Sequence, residues 1–575
     1  MKKHLLDKLP KLKSKWQAGL DSYNKKFTEP FGEKTAEGES NIILSENLCI
    51  SVDDRKIRHN ANAVVIGGSS MSRTFNFIGA GLLQANCSYA VTDPEGILYK
   101  NFGRYLEYMG YKVRCLDLVH IGKGNRYNPF AYIRCDKDIE MLSFALLGAA
   151  NPSGRQDRDH FLEKSERSLL AALIAYVRYH TTQENHNFSK VMELLHTAEK
   201  ENECSAKIYL DDIFEQIKRN DPQAFAVKNY KTFREYTCIS PKRIIDSCIE
   251  RLQAFDLKEI ASLTETDDID LDTIGDEKTA LFVIVPSGDR TFNFIATMLY
   301  SQLLQKMEDY CRETAGFSRL IKDSEGRVVK TYRAISEEDA AIKKAEAEDF
   351  LEKAKNGRVL YNEQLERYEI LTSEDELIAF RGSRKEAEKE FAYLKNGKVV
   401  CNSQYRLPIH TRLIFNSPYL TYEIPNMEIR VAMIRKLNAT ITFVLSSVHA
   451  IKDIYKEDDW NDIAGLCDTI VYMGGGADRD TREWIFDKIG KNPGSIINNQ
   501  EEMRIHKKKD LSIWVQPTVK ISSSEDLRTL PENKCLVIRR PLNNAYADKK
   551  YDCTKHPNWK LVQSLCNGDK KHEDQ

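Results

Sequence analysis

From Val64 to Thr74 the chain reads Val-Val-Ile-Gly67-Gly68-Ser69-Ser70-Met71-Ser72-Arg73-Thr74, close to a phosphate-binding loop. In the pattern GxxxxGK followed by Ser or Thr, backbone N–H groups wrap the phosphates. The Lys reaches the β and γ oxygens and the hydroxyl holds Mg2+. Gly67 and Thr74 satisfy the two ends, but Ser72 stands at the second Gly and Arg73 at the Lys. A Ser held at positive φ costs about 1 kcal/mol or more. Arg presents a wide planar fork where the loop takes a compact ammonium. These residues predict a nucleotide-binding fold whose chemistry is weakened or lost. What remains has two readings. The helix N-terminus and Arg73 still attract an anion, or Arg73 turns away to an acidic neighbour and closes the pocket.

Other candidates are single residues. Asp93 and Asp117 each follow an apolar run, where a carboxylate either takes a metal or caps the next turn, the commoner role of Asp there. His449 lies just past another apolar run, where a solvated or locally bonded ring is the ordinary outcome. His4, His120 and His556 show no metal-ligand spacing. The 13 cysteines fall singly with no CxxC pair, the usage of reduced thiols rather than disulfides or zinc.

The elements that would hold the loop are legible as short apolar runs: Ala63–Ile66, Ser88–Thr92, Lys112–Leu116, Ala280–Val285, Arg412–Phe415, Ile441–Leu445, Thr469–Met473 and Cys535–Ile538. Runs of this length, rich in β-branched residues and alternating with helical stretches, are the pattern of parallel strands covered on both faces. They predict an α/β sheet with right-handed crossovers. A length of 575 residues implies more than one domain, and 41% apolar with 30% charged residues gives a sizeable core under a soluble surface. The formal charge of −1 excludes a global electrostatic drive toward nucleic acid and leaves room for a local basic stripe.

Two stretches break the rhythm. Residues 138–268 carry helical patterns without a strand run, clearest from Phe161 to Tyr179, and read as an inserted all-α domain. Residues 316–408 contain a repeat. Tyr332 to Ser336 leads through an acidic helix to Lys355-Asn356-Gly357-Arg358-Val359, and Phe380 to Ser383 leads likewise to Lys395-Asn396-Gly397-Lys398-Val399. Each copy predicts a strand, a Ser-capped helix, an Asn-Gly turn and a strand. It serves either as a partner-binding appendage or as a solvated decoration. The expected organisation is therefore a tail and linker at 1–40, a core in three parts (41–137, 269–315 and 409–575, the last with the C-terminal tail), and insertions at 138–268 and 316–408.

Residues 1–29 carry eight Lys against Asp7, Asp21 and Glu29, a net of +5, with Leu5, Leu6, Leu9, Leu12, Trp16 and Leu20 at helical spacing. Such a segment lies on an anionic membrane surface, docks on a partner or packs on its own chain; Pro10 interrupts it. No stretch approaches the ~18 uncharged apolar residues of a membrane-crossing helix, and no secretory signal is present.

The order of these pieces resembles the TraG-like coupling proteins of conjugative type IV secretion systems, RecA-like hexameric motors. The segments that carry it are Asn62–Thr74; Tyr89–Gly96, reading YAVTDPEG; Tyr127-Asn128-Pro129-Phe130; Thr279–Asn293; Cys467-Asp468-Thr469; and Tyr551–Asn558. The resemblance implies a RecA-like P-loop NTPase-type sheet with the two insertions. It places Asn416 and Ser417 at the metal-binding Asp and catalytic Glu of the Walker B strand, Ser446 at the γ-phosphate-sensing Gln, and Glu95 at a turn Lys. Asn416 keeps an acceptor without the charge, and Ser417 cannot polarise water as a carboxylate does. The expectation is a catalytically degenerate binding or assembly subunit with no catalytic residue, no metal and no confirmed cofactor. ATP and Mg enter only in the alternative of an active DNA-translocating motor. A plain scaffold without DNA contact is the third reading. Expected partners are type IV secretion or relaxosome proteins, DNA, and a homo- or hetero-hexamer with an active paralogue. The expected location is cytoplasmic, with peripheral contact at the inner face of the cell membrane.

Overall fold

The computed structural model describes residues 41–52, 59–149, 160–200, 208–235, 240–363, 365, 367–403, 405–452, 454–455, 457–475, 477–489, 497–498, 521, 523–540 and 544–567. The basic N-terminal segment lies outside them. Among the described residues no helix is long and apolar enough to cross a membrane.

In chain order the core opens with β1 (Ala63–Ile66), β2 (Ser88–Pro94), α1 (Ile97–Tyr108) and β3 (Lys112–Asp117). Helices follow: α2 (Asp136–Ala149), α3 (His160–His180), α4 (Phe188–Glu199), α5 (Tyr209–Asn220), α6 (Phe225–Glu235), α7 (Pro241–Leu252) and α8 (Lys258–Glu265), with no strand among them. The core resumes at β4 (Thr279–Val285) and α9 (Asn293–Thr314). Next come β5 (Arg319–Lys322), β6 (Val328–Tyr332), α10 (Glu337–Lys355), β7 (Arg358–Asn362), β8 (Arg367–Leu371), β9 (Leu377–Arg381), α11 (Arg384–Lys395) and β10 (Lys398–Cys401). The last strands are β11 (Thr411–Asn416), β12 (Ala439–Leu445), β13 (Thr469–Tyr472), β14 (Lys534–Arg539) and β15 (Asn544–Lys549).

The chain divides into two compact units. The first comprises Met1–Cys87, Thr440–His449 and Ala464–Ser564. In it β1 lies between β12 and β13, parallel to both, with Val64 opposite Phe443 and Ile470. β14 pairs antiparallel with β13 and forms a hairpin with β15. Every residue of β1 is buried, as a strand covered on both faces requires. The second unit comprises Ser88–Ala439, Ala450–Ile463 and Leu565–Gln575. Its four core strands run parallel in the order β11-β2-β4-β3, and β4 is buried at all seven positions. In each unit, strands from the start of the chain pair with strands from beyond both insertions.

Residues 319–401 hold two copies of a strand-strand-helix-strand unit, and the copies exchange their last strands. The β5–β6 hairpin of the first copy is completed by β10 of the second, with Ile321 opposite Val399. The β8–β9 hairpin is completed by β7 of the first, with Glu369 opposite Leu360. The predicted caps are present: Ser336 accepts from the Asp339 N–H at 3.2 Å and Ser383 from the Glu386 N–H at 3.4 Å. Both helices contribute to one apolar cluster, including Ile321, Phe350, Leu351, Ile370 and Leu394. Each copy therefore has one more strand than its sequence predicts. The extra strands, Arg-Leu-Ile-Lys and Arg-Tyr-Glu-Ile-Leu, put charged residues among the apolar ones and hide their pairing. The ends of the insertion meet in register, Arg319 opposite Cys401, and Gly316 and Asn402 are joined by a 2.8 Å backbone bond.

Candidate functional site

The loop after β1 turns on two glycines. Gly67 and Gly68 adopt φ of +81° and +69°, conformations that L side chains rarely take. A Cβ on Gly67 would fall 2.8 Å from Tyr472 Cε2, and one on Gly68 would fall 2.9 Å from Met473 Cβ. The opposing turn after β13 is built the same way, with Gly474 and Gly475 also at positive φ. A Cβ on Gly475 would lie 3.1 Å from Gly68 Cα. The Gly68 N–H donates to Gly474 O, the Gly67 N–H to Leu445 O at 3.2 Å, and the Met473 N–H to Ile66 O at 2.8 Å. Two glycine pairs thus bring two backbones into contact. The run Gly474-Gly475-Gly476 was the available signal for this second turn, and reading for chemistry alone passes over it.

The side chains of the loop do something different. Arg73 is 7% exposed, and its Nη1 donates to Gly67 O at 3.0 Å and Gly68 O at 2.7 Å. Those bonds turn the guanidinium onto the carbonyls of its own loop. Ser72 sits inside the helical turn Ser72–Gly79, not at positive φ, so the strain predicted for it does not arise. Its buried hydroxyl has no hydrogen-bond partner among the described residues. Ser69, Ser70 and Met71 are exposed at the tip, and Ser69 Oγ accepts from the Ser72 N–H at 3.1 Å. Thr74 is buried in the same helical turn. Ser446 follows directly on Leu445, whose carbonyl receives the Gly67 N–H, so it stands beside the loop. His449 is in the short helix Val448–Lys452. Burial raises the nearby Asp478 carboxyl, but the Thr481 hydroxyl and N–H outweigh it and, with His449, hold the group below its ordinary value.

In the second unit the carboxylates at the strand ends act as caps. Asp93 accepts from the Leu98 N–H at 2.9 Å and the Tyr99 N–H at 2.7 Å, closing the start of α1. Burial raises its pKa to about 7 against those two donors, with the Asp117 charge adding to the rise. Asp117 accepts from the N–H groups of Val119 and His120 at 2.9 and 2.7 Å. Glu95, at φ +60°, accepts from the Ser287 N–H at 2.6 Å. Asn416 ends β11 as a buried carboxamide. Ser417 is buried at φ +56°, and its carbonyl accepts from the Leu420 N–H at 2.8 Å. Asn128 caps the turn Pro129–Tyr132 and donates to His186 O and Glu265 O at 2.9 Å, tying the segment that follows β3 to the helical region. Among the described residues no three His, Cys, Asp or Glu side chains gather as a metal site. No disulfide joins the described cysteines.

Three comparisons bear on this arrangement. The plasmid coupling protein TrwB, solved with ADP and Mg2+, superposes with a TM-score of 0.50 at 11% identity over 91% of each chain. TrwB with the non-hydrolysable ATP analogue ADPNP gives 0.50 at 10% identity, again over 91% of each. At that identity the likeness is one of fold: mixed α/β with a large parallel sheet, the RecA-like fold of TrwB. No curated protein matches the chain. The family described as the TraM recognition site of TraD and TraG matches residues 420–532. The family described as type IV secretory system conjugative DNA transfer matches residues 24–316, half of the chain. That match over half of the chain places it in the type IV secretory system conjugative DNA transfer family, the TraG-like coupling proteins.

Proposed function

We propose that the chain serves conjugative DNA transfer as a coupling-protein-like binding or assembly subunit that does not hydrolyse nucleotide. The observation that carries this is Arg73. A phosphate-loop cation acts by reaching the β and γ oxygens, whereas this one is bonded to Gly67 O and Gly68 O. Asn416 and Ser417 supply no carboxylate for a metal or an attacking water. Removing one electrostatic group from such a site commonly costs a hundredfold or more. The residues present do not fit ATP and Mg as a hydrolytic pair. The match over 420–532 supports a relaxosome or secretion-channel protein as the partner of that region. The basic N-terminal segment adds a salt-sensitive contact with anionic membrane.

A second reading, an active DNA translocase, draws support from the retained backbone of Gly67 and Gly68 and the exposed tip at Ser69–Met71. Nucleotide binding and turnover, measured with and without DNA, separate the two. The wild-type chain is expected to stay at background. The paired change Ser72→Gly and Arg73→Lys is expected to restore affinity without turnover. DNA-stimulated hydrolysis that disappears in Thr74→Ala overturns the proposal.

A further inference from the structure

Where α2 packs on α9, Lys306 is 3% exposed and Asp138 is 7% exposed. Lys306 Nζ stands 3.6 Å from Asp138 Oδ2, near enough for an ion pair but beyond the ~2.7–3.2 Å of an N–H···O bond. Nζ has no hydrogen-bond acceptor among the described residues, although an ammonium carries three donors. Asp138 Oδ2 already accepts from the Arg134 N–H at 2.8 Å and the Cys135 N–H at 3.3 Å. Leaving a buried ammonium with no acceptor costs several kcal/mol (~) in a low-dielectric interior.

A cavity of about 10 Å³ opens at this point, and its lining includes the polar residues Tyr132, Asp138, Ser301, Gln302, Gln305 and Lys306. A space of roughly 10–15 Å³ holds one water, provided two to four polar groups surround it. The Lys306 ammonium, the Asp138 carboxylate, the Ser301 hydroxyl and the Gln302 carboxamide meet that condition. Gln302 is itself fixed: its Oε1 accepts from the Tyr127 hydroxyl and its Nε2 donates to Pro129 O at 3.0 Å.

We infer that a single ordered water is built into this joint, accepting from Lys306 Nζ and donating toward Asp138. An anion does not suit the place, because the carboxylate lies beside the ammonium. The water completes a polar seam between α2, the first helix of the inserted helical region, and α9, the helix that follows β4.

A crystal structure of the full chain at about 1.8 Å or better tests it. The expected result is a density peak roughly 2.7–3.2 Å from Lys306 Nζ and from one further polar atom. A dry cavity, a direct bond between Lys306 and Asp138, or a peak that refines only as an ion overturns the inference. In Lys306→Met the peak should vanish. If it persists, the cavity and not the ammonium holds the water, and the stated role is wrong.

Discussion

The loop after β1 and the strand ends of the second unit answer opposite questions about what a nucleotide fold keeps. At Gly67 and Gly68 packing fixes the backbone, and the loop's arginine is turned onto it. The positive φ values persist because two glycine turns press together, while Arg73 bonds its own loop. At Asp93 and Asp117 the side chains have chemical capacity, but the backbone claims it, through two N–H groups apiece. The difference teaches that a loop's shape and a carboxylate's presence can each be explained by packing and capping. Only groups left over after those demands are met count toward catalysis.

The largest expected effect comes from Gly68→Val. The side chain is strained at φ +69° and meets Met473 Cβ at 2.9 Å, so a loss of about 3 kcal/mol or more is expected. Denaturant unfolding measures it. Near-wild-type stability would show that the two turns do not depend on each other.

Next is Asp93→Ala, which strands two N–H groups at the start of α1 and should cost about 2–3 kcal/mol. The wild-type carboxyl also sets a pH dependence. It is raised from 3.8 to about 7, so between those values the folded chain holds a proton that the unfolded chain releases. Stability contributed by this group therefore falls as pH rises from 4 to 7. Asp276, raised to about 6 by burial, acts in the same direction over a narrower window. Thermal melts of Asp93→Asn across that range should lose the Asp93 part of the slope while keeping the cap. An unchanged slope would assign it elsewhere.

Arg73→Met removes the donor to two carbonyls and should cost about 1–3 kcal/mol. No loss would mean that the guanidinium does not hold the loop. The smallest effect lies outside both regions, at His196, whose ring nitrogens meet Asp256 at 2.9 Å and Glu199 at 3.2 Å. The bonds to Asp256 and Glu199 raise its pKa above the ordinary 6.5. Its contribution is complete below 6.5 and fades as pH climbs through the raised value. His196→Gln should flatten only that upper window, which separates it from the Asp93 effect in the same melts.

The sequence was legible where burial acts on every residue of a run. Ala63–Ile66 and Ala280–Val285 read as strands because parallel strands covered on both faces are continuously apolar. The capping role of Asp93 and Asp117 was legible from their place after such runs. The direction of the Arg73 side chain was not, since a rotamer leaves no periodic trace. Nor was the backbone at Ser72, where a pattern built on glycine predicts positive φ and the chain is helical. The strand exchange in 319–401 escaped because pairing partners are chosen in three dimensions, between segments whose local patterns are nearly alike.

The register of Arg319 against Cys401 carries a last consequence. Paired residues across an antiparallel ladder lie about 5 Å apart, so more than eighty residues enter and leave at nearly one point. To the strands before and after it, this domain amounts to a short linker. Such a module can be gained in one genetic step without rerouting the chain that receives it. It can equally be cut out and closed with two or three residues, α9 still running on toward β11.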